Sequence, residues 1–189
     1  MSIITQYLDL VNRAISQLPE DRIQDAVDTL AEAIENGRQI FLLGNGGSAA
    51  NASHISEDLL KGVKECTGRR ARVFALTDSA PLITAWANDT GYEHIFSEQI
   101  DSLLNPGDVV IAISGSGNSP NVIKAVEKAN EMGGVTLGWS GYAGGKLAQI
   151  AQKPIVVSSD NMQRIEDVHL VLGHLVYTAL IAKLGPVDS

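Results

Sequence analysis

GDVVIAISGSGNSPNVIKAVEKA, residues 107–129, is the stretch whose reading decides the fold. Val109–Ile113 is a short run of β-branched and aliphatic residues without polar alternation. That pattern predicts a parallel strand covered on both faces. The run ends in Ser114-Gly115-Ser116-Gly117-Asn118-Ser119, and a helical pattern then occupies Pro120–Glu131. Ser119 stands where an N-cap is expected, and Pro120 at the favoured first helical position. The same order recurs upstream, with Gln39–Leu43, the turn Gly44-Asn45-Gly46-Gly47-Ser48, and a helical stretch over Ala49–Lys61. There Ser48 is the expected cap.

Outward from these two units, further strand-like runs are Arg72–Leu76, Val135–Trp139 and Ile155–Val157. Helical patterns lie between them near Pro81–Asn88, Ser97–Leu104 and Gly145–Ala151, and a last helix runs from about Gln163 to Lys183. Alternating strand and helix predicts an α/β fold, a five-stranded parallel sheet flanked by helices. A flavodoxin-like strand order would put the first and third strands at the switch point, so that both loops open into one crevice. An N-terminal helical segment, residues 1–36, precedes the sheet. Ile4, Tyr7, Leu8, Val11, Ile15 and Leu18 recur at helical spacing, while Ile3, Leu10 and Ala14 widen the stripe beyond one face. A helix apolar on two sides packs against a neighbour beyond its own core, which predicts an oligomer. No linker or low-complexity tract divides residues 1–189, and a single domain is expected.

Composition narrows the function classes. The 189 residues are 44% hydrophobic and 19% charged, which excludes a disordered chain. A net charge of -8 disfavours nucleic acid and anionic membrane as partners. The single cysteine, Cys66, fits a reducing, cytoplasmic compartment. Val168–Ala182 is strongly apolar, yet His169 and His174 interrupt it and it is short for a bilayer, so it reads as a buried helix.

The two loops are suited to an anion. Each points backbone N–H groups and a helix N-terminus at one spot, and serine hydroxyls add uncharged donors, so phosphate can be held without lysine or arginine. One loop can take phosphate while the other reads hydroxyls of the same molecule. Gly44, Gly46 and Ala49 also satisfy a loose dinucleotide pattern, but about 20 residues later stand Arg69 and Arg70 rather than an acidic residue. The second loop has no Walker lysine, so no nucleotide cofactor is expected.

Taken together, GNGGSAANASHISEDL (44–59), AWANDTGYEHIFSEQI (85–100), residues 107–129 and QRIEDVHLVLGH (163–174) resemble the phosphoheptose isomerases, enzymes of the sugar isomerase (SIS) domain class. The resemblance covers nearly the whole chain. It implies conversion of sedoheptulose 7-phosphate to a heptose 7-phosphate through an enediol, with a phosphorylated sugar as partner and a homotetramer as the working form. It implies that Ser114, Ser116 and Ser119 bind the phosphate, and that Asn45, Gly46 and Ser48 hold sugar hydroxyls. Asn88 and Asp89 match an Asn-Asp turn near the sugar.

The family also carries a His with a Glu four residues later, and a late Gln with a His eight residues beyond it. These bind zinc in some members, and the Glu and late His act as base and acid. Here the positions are His54, Asp58, Glu166 and His174, so the first carboxylate is shorter and the amide has become a carboxylate. The resemblance thus implies Asp58 as base, His174 as acid and all four as ligands of one divalent ion. Two histidines and two carboxylates suit zinc, with iron, manganese or nickel also open. His54 and Asp58, at i and i+4, share a helix face. Glu166 and His174 are about 12 Å apart along the axis, on the order of the reach of two long ligands. Structural alternatives stay open: a helical histidine bonded to a carbonyl for His54, a core histidine for His174, and a first-turn carboxylate on the helix dipole for Glu166. Two rival functions share the loops. A non-catalytic relative that binds a replication initiator lacks the helix carboxylate and late histidine present here, and a sugar-phosphate sensor needs no acid/base pair.

Overall fold

The computed structural model describes residues 1–186. Helices α1 (Ile3–Ser16) and α2 (Glu20–Glu35) come first, and Ser2 caps α1 by accepting from the Thr5 N–H at 3.1 Å. The chain then alternates β1 (Gln39–Leu43), α3 (Gly47–Glu57), a π-turn (Asp58–Gly62) running into α4 (Val63–Thr67), β2 (Arg72–Ala75) and α5 (Ala80–Asp89). A 3₁₀ turn (Tyr92–His94), α6 (Ser97–Leu103), β3 (Val109–Ser114), α7 (Pro120–Glu131) and β4 (Val135–Ser140) follow. Helix α8 (Leu147–Ile150), β5 (Lys153–Val156) and α9 (Met162–Leu184) complete the order.

All five strands are parallel, in the order β2-β1-β3-β4-β5. This is the flavodoxin-like order, with β1 and β3 side by side at the switch point. Alternate residues of the central strands feed two cores. Ile40, Leu42, Val109, Ile111, Ile113, Leu137 and Trp139 pack with α2, α3 and α9, while Phe41, Leu43, Val110 and Ala112 pack with α6, α7 and α8. Burial on both faces explains why these strands read as unbroken apolar runs.

Some boundaries differ from expectation. β5 starts at Lys153 rather than Ile155, because Lys153 and Pro154 pair with Leu137 and Gly138 on a sheet edge, where proline is tolerated. The helix after β1 starts at Gly47, so Ser48 is not the cap. Gly46, at φ +54°, occupies the N-cap and Ser48 lies buried in the first turn. The long final helix buries Ile165, Val168, Leu172, Val176 and Leu180. α1 buries only Ala14 and exposes Ile3, Ile4 and Leu8.

His169 is wholly buried within α9. Its Nε2 lies 3.2 Å from the Ser140 carbonyl oxygen and its Nδ1 has no partner. Burial pushes its pKa down from 6.5 to about 4, because a second N–H would face an apolar core without an acceptor. A depressed folded-state pKa contributes stability that is complete above about pH 6.5 and lost as pH falls toward about 4, on the order of 3 kcal/mol. His169→Gln keeps a donor for Ser140 and cannot titrate. Urea denaturation at pH 7 and pH 4 should show wild type losing more stability than this variant by roughly that amount.

Candidate functional site

The loops after β1 and β3 meet because their strands pair directly, with Leu43 opposite Ala112. Between them lies a cleft of about 230 Å³, lined by Asn45, Gly46, Gly47, Ser48, Ser114, Gly115, Ser116 and Ser119 together with Met162 and Glu166 of α9. Six of the sequence-predicted binding residues therefore line one cavity. Its wall on the β3 side is organised by serines. The buried Ser114 hydroxyl donates to the Ser119 Oγ at 3.2 Å, and the Asn118 N–H donates to the Ser116 Oγ at 3.2 Å. Ser119 occupies the N-cap of α7 but its side chain makes no capping bond, contrary to the simple cap reading. Its hydroxyl faces Ser114 instead.

Gly117 closes this loop at φ +67°, and a Cβ there would overlap the Gly144 carbonyl. Its N–H donates to the Ser114 carbonyl and its own carbonyl accepts from Leu147. Only glycine satisfies both the dihedral and the close approach.

Glu166 enters the same cleft from α9. Its carboxylate occupies the space that a Cβ on Gly47 would fill, against the first turn of α3, where partial positive charge favours an anion. The buried Asn51 amide fixes the helices at this point by donating to the Glu166 carbonyl at 2.9 Å.

A second constellation lies further along α3. His54 Nε2 and His174 Nε2 are 3.1 Å apart, and Asp58 Oδ2 is 3.6 Å from the first and 3.5 Å from the second. The three donor atoms form a near-equilateral triangle. Tetrahedral zinc with bonds of about 2.0–2.1 Å places its ligand atoms about 3.3–3.4 Å apart, so this donor set fits such an ion with one position open. Two imidazoles and one carboxylate are also the borderline donors zinc takes. Asp58 stands at the junction of α3 and the π-turn, with its N–H shared between the His54 and Ile55 carbonyls. Such π-bulges recur at functional sites. Glu166 is not in the triangle. Eight residues before His174, its side chain turns to Gly47 instead of reaching the histidines.

Asn88 and Asp89 do not line the cleft. They end α5, a helix that buries none of its residues, and Asn88 Nδ2 donates to Asp89 Oδ1 at 2.7 Å.

The SIS domain profile matches residues 6–141. A phosphoheptose isomerase of Aquifex aeolicus is 42% identical over 166 residues, 88% of this chain and 86% of that protein. The chain belongs to the SIS-domain phosphoheptose isomerase family. A second member, from Geotalea daltonii, is 40% identical over 92% of this chain and 90% of its own length. A solved phosphoheptose isomerase from Francisella tularensis superposes with a TM-score of 0.87 at 29% identity, covering 95% of this chain and 96% of its own. Against the family pattern, the departures stand at Asp58 and Glu166, one in the triangle and one in the cleft.

Two cleft-side residues escaped the sequence reading. Asn121 is buried and bonds to Asn45, and Tyr92 reaches Asn45 from the 3₁₀ turn. Asn121 follows the expected Pro120 helix start and reads as an ordinary first-turn residue. Tyr92 reads as one aromatic in a loop, and nothing in the spacing ties it to position 45.

Gly117→Ala should cost more than about 1 kcal/mol in urea denaturation, since both the dihedral and the Gly144 carbonyl oppose a Cβ.

Proposed function

We propose that this chain isomerises a phosphorylated ketose to the corresponding aldose, with sedoheptulose 7-phosphate converted to a heptose 7-phosphate. The observation that carries the reading is the single cleft shared by the β1 and β3 loops, in a member of the phosphoheptose isomerase family. Ser114, Ser116 and Ser119 take the phosphate, using neutral donors that need no basic side chain. Asn45, Gly46 and Ser48 meet the sugar hydroxyls. Asn88 and Asp89 are assigned to the sugar by family resemblance alone, and their side chains bond to each other outside the cleft.

Isomerisation moves one proton between adjacent carbons. In this reading the Asp58 carboxylate takes the proton from carbon, the electron pair forms the enediol double bond, and His174 supplies a proton to the former carbonyl oxygen. Reversal at the neighbouring carbon gives the aldose. Asp58 and His174 are close enough to work together, at 3.5 Å. Zinc would be held by His54 Nε2, His174 Nε2 and Asp58 Oδ2 and would supply Lewis-acid polarisation of a carbonyl, which leaves Asp58 Oδ1 to accept and His174 Nδ1–H to supply the protons. Glu166, the expected fourth ligand, belongs in this proposal to the cleft.

The working form proposed is a homotetramer in the cytoplasm, built from one SIS domain over residues 1–189. Residues 1–36 contribute to assembly. Support comes from the exposed apolar side chains of α1, from α5, which exposes Leu82, and from the unpaired, exposed Cys66. The non-catalytic alternative is disfavoured by the convergence of Asp58 and His174, which a pure binding protein does not need.

Turnover of sedoheptulose 7-phosphate should be present in the purified protein, lost on chelation and restored by added zinc. Turnover unaffected by chelation would remove the metal, and no turnover in any state would overturn the isomerase reading. Ser116→Ala should weaken sugar-phosphate binding about tenfold, the scale of one charge-assisted hydrogen bond. Unchanged affinity would remove that hydroxyl from the phosphate site.

A further inference from the structure

Asn45 and Asn121 make a reciprocal amide pair across the mouth of the cleft. Asn45 Nδ2 donates to Asn121 Oδ1 at 2.8 Å, and Asn121 Nδ2 donates to Asn45 Oδ1 at 2.8 Å. The orientation of Asn121 is set independently, because its Oδ1 also accepts the Val122 backbone N–H at 2.9 Å. With that oxygen turned inward, only its NH₂ can face Asn45 Oδ1. Tyr92 then closes the arrangement by donating its hydroxyl to Asn45 Oδ1 at 2.9 Å.

Asn45 has two lone pairs on Oδ1, and both are engaged, one by Asn121 and one by Tyr92. Its NH₂ has two hydrogens, and one is engaged by Asn121. What remains is a single N–H. An unconstrained asparagine can offer a ligand either its oxygen or its nitrogen, whereas this one has no acceptor left to offer. We infer that Asn121 and Tyr92 are positioning residues that lock the Asn45 amide as a donor, so that it recognises an oxygen acting as acceptor on the bound sugar. The inference rests on the reading of Asn45 as a sugar-binding residue.

The location suits the role. Asn45 and Ser119 line both the serine cleft and an adjoining cavity of about 400 Å³, which Tyr92, Glu93, Pro120 and Asn121 complete. Asn121 is almost wholly buried, so its amide orientation is protected from exchange with water. The pair also ties the starts of α3 and α7 together, joining the loop that reads sugar to the loop proposed for phosphate.

Two variants separate orientation from architecture. Tyr92→Phe removes one donor to Asn45 Oδ1 and leaves a free lone pair. Asn121→Asp keeps the acceptors for the Val122 N–H and for Asn45 Nδ2 but cannot donate to Asn45, so Asn45 Oδ1 loses one of its two donors and faces a carboxylate oxygen instead. Binding of sedoheptulose 7-phosphate and of inorganic phosphate is measured by calorimetry on wild type and both variants, with thermal midpoints as a check of folding. Sugar-phosphate affinity is expected to fall about tenfold in each variant, the effect of one misdirected hydrogen bond. Inorganic phosphate affinity should stay within about twofold in Tyr92→Phe, which leaves the serine loop and its charge untouched. Asn121→Asp adds a carboxylate beside that loop, so it is read as the loss of sugar-phosphate affinity in excess of the loss of inorganic phosphate affinity. The inference is overturned if sugar-phosphate affinity is unchanged, if both ligands weaken together in Tyr92→Phe, or if they weaken by equal factors in Asn121→Asp, which would mean a general loss of cleft structure or of anion binding. Wild-type turnover is scored separately, so an inactive wild type counts against the isomerase reading while the selective loss of sugar binding still decides the amide lock.

Discussion

The direct pairing of β1 with β3 is the constraint on which the rest of the molecule depends. Parallel strands deliver their C-terminal ends to the same edge of the sheet, and adjacent strands lie about 4.8 Å apart. Two loops that are 70 residues apart in sequence are thereby forced into one cleft. The apolar content of both strands makes the pairing secure, because Ile40, Leu42, Val109 and Ile111 fill one core while Phe41, Leu43, Val110 and Ala112 fill the other. A slip of one residue would exchange the two sets and bury neither properly. Precision in the loops is thus inherited from the packing beneath them.

α9 is the second organising element. It crosses behind both loops, and successive turns of it present different chemistry. Met162 and Glu166 face the serine cleft, His169 is sealed into the core against Ser140, and His174 meets His54 and Asp58. A continuous helix holds these groups at fixed spacing, and the Asn51 amide joins it to α3 by donating to the Glu166 carbonyl. The division of the two departures from the family pattern follows from this geometry. Asp58 is short but sits beside both histidines, and Glu166 has its carboxylate against the start of α3, where the helix end favours negative charge.

Most of the sheet was legible in the chain because parallel strands buried on both faces leave an unmistakable run of aliphatic residues. β3 and β1 stand where the runs Val109–Ile113 and Gln39–Leu43 place them, and α7 begins and ends as its Pro120 start and periodicity indicate. The failures were local. Ser48 does not cap its helix, since Gly46 takes that position, while Ser119 holds the N-cap of α7 as expected, with its hydroxyl accepting from Ser114 rather than capping. β5 began early because an edge strand tolerates Lys153 and Pro154, which an apolar-run criterion rejects. The π-turn at Asp58 left no mark in the helical pattern that contains it.

The sequence by itself determined the fold class, the strand order expected of it, the two donor-rich loops and the family. Each of these depends on residue type and on spacing along the chain, and both are written in the sequence directly. Tertiary structure alone decided which side chains share a site. It joined His54 and Asp58 to His174 and kept Glu166 apart, and it turned Asn121 and Tyr92 onto Asn45. Those outcomes depend on rotamers and on contacts between segments separated by up to 120 residues. No periodicity records such contacts, because the chain brings these residues together only through the packing of other residues.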